Sequence, residues 1–285
     1  MEKTTYPAIR GFTLIDLLVV ISIIGLLASI VFSSLVSARA KARVGAGLQA
    51  NASLYHGIGD HTLGEWLFGD CAGATLTDSA SGHNGVITGG ATWSTSGGPT
   101  GRCYLSFSGA QYIPIGKVTS GTTLTYALWI KVSSLPASNQ MLLWDDDWAG
   151  GGDTFIFLNS SGIVGTSWGL ASANKININE WVFITVSGNS SGSQIYIDGT
   201  LSGNMTTPIT DRTGISFVTL GVSCGGDGSA SPPSCSPIAP YGGSFPSPYF
   251  VGSMGEVRIY NAALTSADVQ KIYATEAPRY KIAVR

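Results

Sequence analysis

The stretch "GFTLIDLLVVISIIGLLASIVF", which begins at Gly11, constrains this chain more than any other. From Phe12 to Val36 most side chains are apolar. Such a run crosses a bilayer only as a helix, because a helix satisfies its own backbone where lipid offers no partner. The one carboxylate in it, Asp16, lies close to its start, and an acid in hydrocarbon calls for a compensating charge. Ahead of the run, "MEKTTYPAIR" carries Lys3 and Arg10; behind it, Arg39, Lys41 and Arg43 cluster where headgroups or solvent would meet them. An ordinary secretory signal has a shorter apolar core and is cut after it. "VSA" at Val36 to Ala38 has the small-residue pattern of such a cut, but the length of the run and the acid inside it favour a retained anchor.

Beyond Val36 a loose helical period continues through Val44, Leu48, Ala52 and Tyr55, weakened by Gly45 and Gly47 and bounded by Gly57 and Gly59. It predicts one stalk helix continuing to about His56. From Gly64 the pattern becomes short alternating segments broken by Gly, Asn, Ser and Pro, as in an antiparallel sandwich. Only 11% of the 285 residues are charged and 38 are glycine, which suits an exported β-protein better than a cytosolic enzyme. A formal net charge of -2 leaves no excess of cations to track phosphates, so nucleic acid is not an expected partner.

Strands are predicted at "EWLF" (65), "CYLSF" (103), "YIPI" (112), "TTLTYALWIKV" (122), "MLLW" (141), "TFIFL" (154), "EWVFITV" (180), "QIYID" (194), "ISFVTLG" (215) and "EVRIY" (256). In the segment at 122, Leu124, Tyr126, Leu128, Ile130 and Val132 share one face and Thr123, Thr125, Ala127, Trp129 and Lys131 the other. Trp129 on that half-polar face suits either packing or ligand stacking. "EWVFITV" is apolar on both faces and needs cover on both sides. The stalk helix is the expected outer cover. Asp198-Gly199 reads as a hairpin turn and Thr265 with Asp268 as a capping box.

"RGFTLIDLLVVISIIGLLASI" resembles the type IV prepilin leader and N-terminal segment. The resemblance implies cleavage by prepilin peptidase between Gly11 and Phe12, N-methylation of Phe12, and a retained helix that anchors the subunit in the membrane and then enters a filament core. The family's usual glutamate at the fifth residue after the cut is here Asp16. Stacked in a low-dielectric bundle, the Phe12 amine of one subunit needs a counter-charge, and the Asp16 carboxylate of a neighbour can supply it. "GEWLF", "DSASGHNGVI", "YLSFSGAQYIPI", "LTYALWIKV", "NEWVFITV", "QIYIDGTL" and "FVGSMGEVRIYNAALTSADVQKIY", in that order, resemble the laminin-G-like, concanavalin-like jelly roll. Where that family carries a pair of acids before the closing strand, this chain has Gly255 and Glu256. The expected fold is thus an all-β antiparallel jelly-roll head behind one long N-terminal α-helix. Its expected parts are a leader (1–11), a transmembrane and filament-core helix (12–36), a stalk helix and linker (37–63), the jelly roll (64–275) and a tail (276–285).

Four cysteines in an exported domain suggest two bridges out of three possible pairings, with Cys71–Cys103 and Cys224–Cys235 favoured as nearest in sequence. The second would pin a long insertion, readable as a ligand-binding loop presenting Tyr241, Phe245 and Tyr249 or equally as a surface elaboration. "LLWDDDWAGGGD" reads as an acidic loop in which Asp145, Asp146, Asp147 and Asp153 could hold calcium while Trp144 and Trp148 stack on sugar rings. Its spacing matches no EF-hand, and a solvated acidic loop with one buried tryptophan is the simpler explanation. The Glu-x-Asp-x-x-Glu motif of concanavalin-like glycosidases is absent, and His56, His61 and His83 stand in stalk or loop without a matched nucleophile, so no enzyme is expected. The expected function is a pilin-like subunit displaying a binding head for adhesion or glycan recognition. The alternatives are a structural pilin or secretion pseudopilin without ligand, and an anchored glycan-processing enzyme. Expected partners are other pilin subunits, prepilin peptidase, the membrane and surface glycans; the expected location is the inner membrane before assembly, then the pilus or cell surface.

Overall fold

A computed structural model of the chain describes residues 14–15, 17–28, 57–100, 102–118, 121–147, 153–207, 216–225, 236–237 and 249–280. The chain forms two compact units, Met1–Ala52 and Ser53–Arg285.

In the first unit residues 17–28 are helical (α1). Ser22 donates its hydroxyl back to the Leu18 carbonyl (2.8 Å), so the hydroxyl in this apolar helix is satisfied by the helix's own backbone. Leu14, Leu18, Ile24 and Leu26 are exposed, an apolar surface of the kind that lipid or neighbouring helices cover. Among the described residues no helix is long and apolar enough to cross a membrane. α1 is part of the predicted span 12–36. Gly11, Phe12, Asp16 and the predicted stalk up to His56 lie outside the described residues.

The second unit is a sandwich of two antiparallel sheets. One has eight strands, in the order β13 (Thr200–Met205), β12 (Gly192–Ile197), β11 (Val182–Asn189), β7 (Leu124–Lys131), β17 (Val251–Tyr260), β5 (Tyr104–Ser108) and β4 (Thr92–Ser94). Its eighth strand, β1 (Thr62–Trp66), also pairs with β17, beyond the end of β5. The other sheet runs β10 (Val164–Thr166), β9 (Thr154–Leu158), β8 (Gln140–Asp147), β14 (Ser216–Leu220) and β6 (Ile113–Gly116). Two short ribbons complete it: β2 (Thr75–Leu76) with β3 (Gly85–Val86), and β15 (Cys224–Gly225) with β16 (Ser236–Pro237). Every predicted strand is present. The two-to-three-residue strands β2, β3, β4 and β10, and the polar β13, had too little alternation to be read.

The main core lies between the sheets and takes Leu124, Tyr126, Leu128, Ile130 and Val132 from β7 and its flank, together with Val182, Ile184 and Val186 of β11. The opposite face of those strands is buried too. Trp129, Phe183, Trp181 and Ala127 form a second cluster with Val269 and Ile272 of α2 (Ser266–Glu276) and with Ala277 and Tyr280 of the 3-10 turn that follows. Much of the cover predicted from the stalk helix is therefore supplied by the C-terminal helix, joined by Ile58 from the segment expected as stalk and linker, and Ala277 and Tyr280, expected as tail, belong to this cluster. Trp129 is closed between Tyr280 (4.0 Å, 15°) and Phe183 (5.0 Å). It packs, and cannot stack on a ligand. The capping box is present: the Thr265 hydroxyl accepts from the Asp268 amide and the Asp268 carboxylate accepts from the Thr265 amide. Asp198 and Gly199 both take positive φ between β12 and β13, as a two-residue hairpin turn requires.

Candidate functional site

The outer face of the five-stranded sheet is aromatic. Alternation along β8, β9 and β14 turns Leu143, Ile156, Leu158, Val218 and Leu220 inward and Trp144, Phe155, Phe157 and Phe217 outward. Trp144 stacks on Phe155 at 5.1 Å and 8°, Phe155 meets Phe157 at 6.1 Å, and Tyr112 faces Tyr249 at 6.4 Å. Trp144 is 2% exposed. In register with it on β14 stands Thr219. Trp144 Nε1 and Thr219 Oγ1 are buried and have no hydrogen-bond partner among the described residues, a state that costs about 1–3 kcal/mol for each group and so demands an explanation. Cys224, disulfide-bonded, and Tyr249 also belong to this face; they are the described ends of the long insertion. Trp148, Tyr241, Phe245 and Cys235 lie outside the described residues.

The expected acidic loop is largely a strand. β8 continues through Asp147, pairing Asp145, Asp146 and Asp147 with Val218, Phe217 and Ser216, so successive side chains leave on opposite faces. Asp145 is fully buried and accepts from Tyr126 Oη (2.7 Å) and Ser216 Oγ (2.6 Å). Asp146 stands on the outer face with Trp144. Asp145 and Asp146 thus leave on opposite faces, the side chain of Asp147 lies outside the described residues, and among the described residues no group of three or more His, Cys, Asp or Glu could hold a metal ion. The reason is pairing: β14 offers backbone partners that a free acidic turn would lack.

Under α2 lies a buried ionic cluster that the sequence reading missed. Arg258 Nε meets Glu65 (2.8 Å), Nη2 meets Glu256 (3.0 Å) and Nη1 meets Glu276. Glu256 also binds Arg102 Nε (3.0 Å) and Arg279 Nη1 (3.1 Å), and Glu276 accepts from Trp129 Nε1 (2.6 Å). Burial pushes the Glu65 carboxyl up, but Arg258 and Ser79 more than offset this and hold it below its ordinary value. Burial dominates at Glu276 and raises its carboxyl to about 7, against the pull of Arg258. The folded state therefore keeps a proton on Glu276 that the unfolded chain releases near its ordinary 4.5. Stability from this group is full below that value and falls as pH rises through about 7, by on the order of 3 kcal/mol. Thermal melts from pH 5 to 8 should show this decline, and Glu276→Gln should flatten it; equal slopes in both proteins would refute the assignment.

Residues 107–270, more than half of the 285-residue chain, match the family described as the concanavalin A-like lectin/glucanases superfamily. The chain belongs to that superfamily. Residues 7–32 match the prokaryotic N-terminal methylation motif, which implies processing by prepilin peptidase, passage through the inner membrane and assembly into a pilus. Similar solved structures include Domain 4 of AbnA, a GH43 extracellular arabinanase from Geobacillus stearothermophilus, solved in complex with arabinotriose. It has TM-score 0.55 and 18% identity, covering 75% of this chain and 98% of that one. Trypanosoma rangeli sialidase in complex with sialic acid has TM-score 0.52 and 13% identity, covering 75% of this chain and 32% of its own. The HCR/D W1238A mutant has TM-score 0.51 and 12% identity, covering 76% and 52%. A comparison with curated proteins found no match.

Within this concanavalin A-like head two family-resembling segments have physical explanations. In "DSASGHNGVI" the Asp78 carboxylate accepts from the amides of Glu65 (2.8 Å), Ala80 (2.9 Å), Ser81 (3.2 Å) and His83 (2.9 Å), tying the loop to β1. Those hydrogen bonds outweigh desolvation and hold its carboxyl below the ordinary value. At Gly255-Glu256 the register of β17 against β7 shifts between Met254 and Val257. This bulge keeps both flanking residues in the core and sends Glu256 beneath α2. A Cβ on Gly255 would meet Tyr280 Oη, which accepts from the Glu256 amide (3.0 Å). The missing acid is thus replaced by space for Tyr280.

Proposed function

We propose that this chain is a pilin-like subunit whose concanavalin A-like head binds glycans, through the aromatic outer face of its five-stranded sheet, for surface adhesion. The observation that carries the proposal is the aromatic face itself, on which Tyr112, Phe157 and Tyr249 are half-buried and therefore reachable, while Trp144 Nε1 and Thr219 Oγ1, buried on the same face, have no partner among the described residues. Rings supply apolar surface for the C–H face of a sugar, and isolated donors suit its hydroxyls. The arabinotriose in the similar AbnA domain supports the reading. A binding head, and not an enzyme, is the role assigned.

Full-length chain in detergent, applied to an array of neutral glycans, is expected to be retained. Thr219→Val removes a buried hydroxyl that has no partner among the described residues. It should raise stability by about 1 kcal/mol and weaken glycan binding roughly tenfold. Absence of retention would favour a purely structural subunit, unchanged binding by Thr219→Val would move the site elsewhere, and release of free sugars would favour the glycan-processing alternative.

A further inference from the structure

On the side of the head away from the aromatic face, Arg102 and Arg279 converge from distant parts of the chain. Arg102 precedes β5, Arg279 lies in the turn after α2, and the Thr100 amide donates to the Arg279 carbonyl (2.7 Å), joining the two segments. Two adjoining clefts open here, of ≈ 470 and ≈ 500 Å³, and Thr100 and Arg102 line both. These are volumes in the range of small-ligand sites.

Both arginine side chains are 26% exposed, whereas the side chain of the carboxylate they share, Glu256, is 0% exposed, also serving Arg258. Arg102 uses Nε on Glu256 and Nη1 on the Leu67 carbonyl (3.4 Å); Arg279 uses Nη1 on Glu256. Arg102 Nη2 and Arg279 Nε and Nη2 have no partner among the described residues. No residue lining either cleft is acidic, and nearby Asp70 is occupied by the Thr77 amide and hydroxyl. Two fixed cations thus face the clefts with open donors while the anion that orients them is withdrawn from solvent. That is the arrangement a planar carboxylate recognises, since guanidinium forks bind it in paired, charge-assisted hydrogen bonds.

We propose that this double-arginine cleft binds the carboxylate of an acidic sugar, a hexuronate, with Arg102 and Arg279 on the carboxylate and the exposed Thr95 and Thr100 hydroxyls beside the ring. The sugar identity rests on the glycan-binding reading above; the carboxylate rests on the arginines alone.

The test is titration of full-length protein in detergent, at low salt, with glucuronate, glucose and acetate. Glucuronate is expected to bind at least roughly tenfold more tightly than either glucose or acetate. Thr100→Glu, a change at an exposed side chain outside the ionic cluster, should weaken glucuronate binding by about tenfold or more through like-charge repulsion, and by clearly more than the isosteric neutral change Thr100→Gln, which removes the same hydroxyl without adding charge. Arg279→Gln should abolish it, with a melt recorded in parallel. Glucuronate binding no better than glucose, or indifferent to Thr100→Glu, overturns the site; acetate matching glucuronate overturns the sugar. If neutral glycans are retained on the array but glucuronate is not bound, this inference fails and the aromatic-face reading stands. If glucuronate binds while no neutral glycan is retained, the reverse holds.

Discussion

Arg258→Met is expected to destabilise the head by about 3–5 kcal/mol at pH 8, a large share of the stability of an ordinary domain. Arg258 is the hub of the cluster under α2, touching Glu65, Glu256 and Glu276 at once, and it is 9% exposed. Removing it leaves carboxylates in a site closed to water. Among the described residues Glu256 keeps Arg102 and Arg279, while Glu276 keeps the Trp129 indole as its hydrogen-bond partner and feels Arg279 only at longer range. Glu276 can escape its charge by holding a proton, so the loss should be smaller at pH 5 than at pH 8. Adding Glu276→Gln should recover part of it at pH 8. Urea unfolding of the variants at both pH values is the measurement; a loss below about 1 kcal/mol at pH 8 would show that the cluster contributes little.

Replacing both Cys71 and Cys103 with serine is expected to cost about 3.7 kcal/mol. The bridge spans a sequence separation of 32, and the loop-closure entropy it removes from the unfolded chain corresponds to that figure. Serine substitution is cleaner than a reductant, which would also attack the bridge made by Cys224. Cys103 is 2% exposed and begins the run into β5, so the loss should appear in the melting of the whole head and not as local fraying. A double variant that melts with the parent would show that the unfolded state is already compact across this loop.

The local order of the head was legible because it is written in periodicities of two and in single turn or cap residues. Leu124 to Lys131 alternates, so its inward face could be named; Asp198-Gly199 and Thr265-Asp268 carry their geometry in their own side chains. The Cys71–Cys103 pairing was one of three that the sequence allowed, and the fold selected it by bringing β5 beside the loop after β1.

Residue pattern was enough to establish an apolar helix-forming segment from residue 12 bearing a prepilin motif, followed by an antiparallel sandwich. Tertiary structure alone decided which element covers Trp129 and Phe183, because an apolar outer face specifies that it be buried but not by what. It decided that Asp145 to Asp147 extend a strand, since the competing backbone partner, β14, lies far along the chain. It also assembled Arg102, Arg258 and Arg279 around Glu65, Glu256 and Glu276, and set Thr219 opposite Trp144. Such clusters have no local signature: each member is an ordinary surface-type residue in its own segment, and only the crossing of β17 beneath α2, or the pairing of β14 with β8, lowers the dielectric around them and gives their charges and hydrogen bonds consequence.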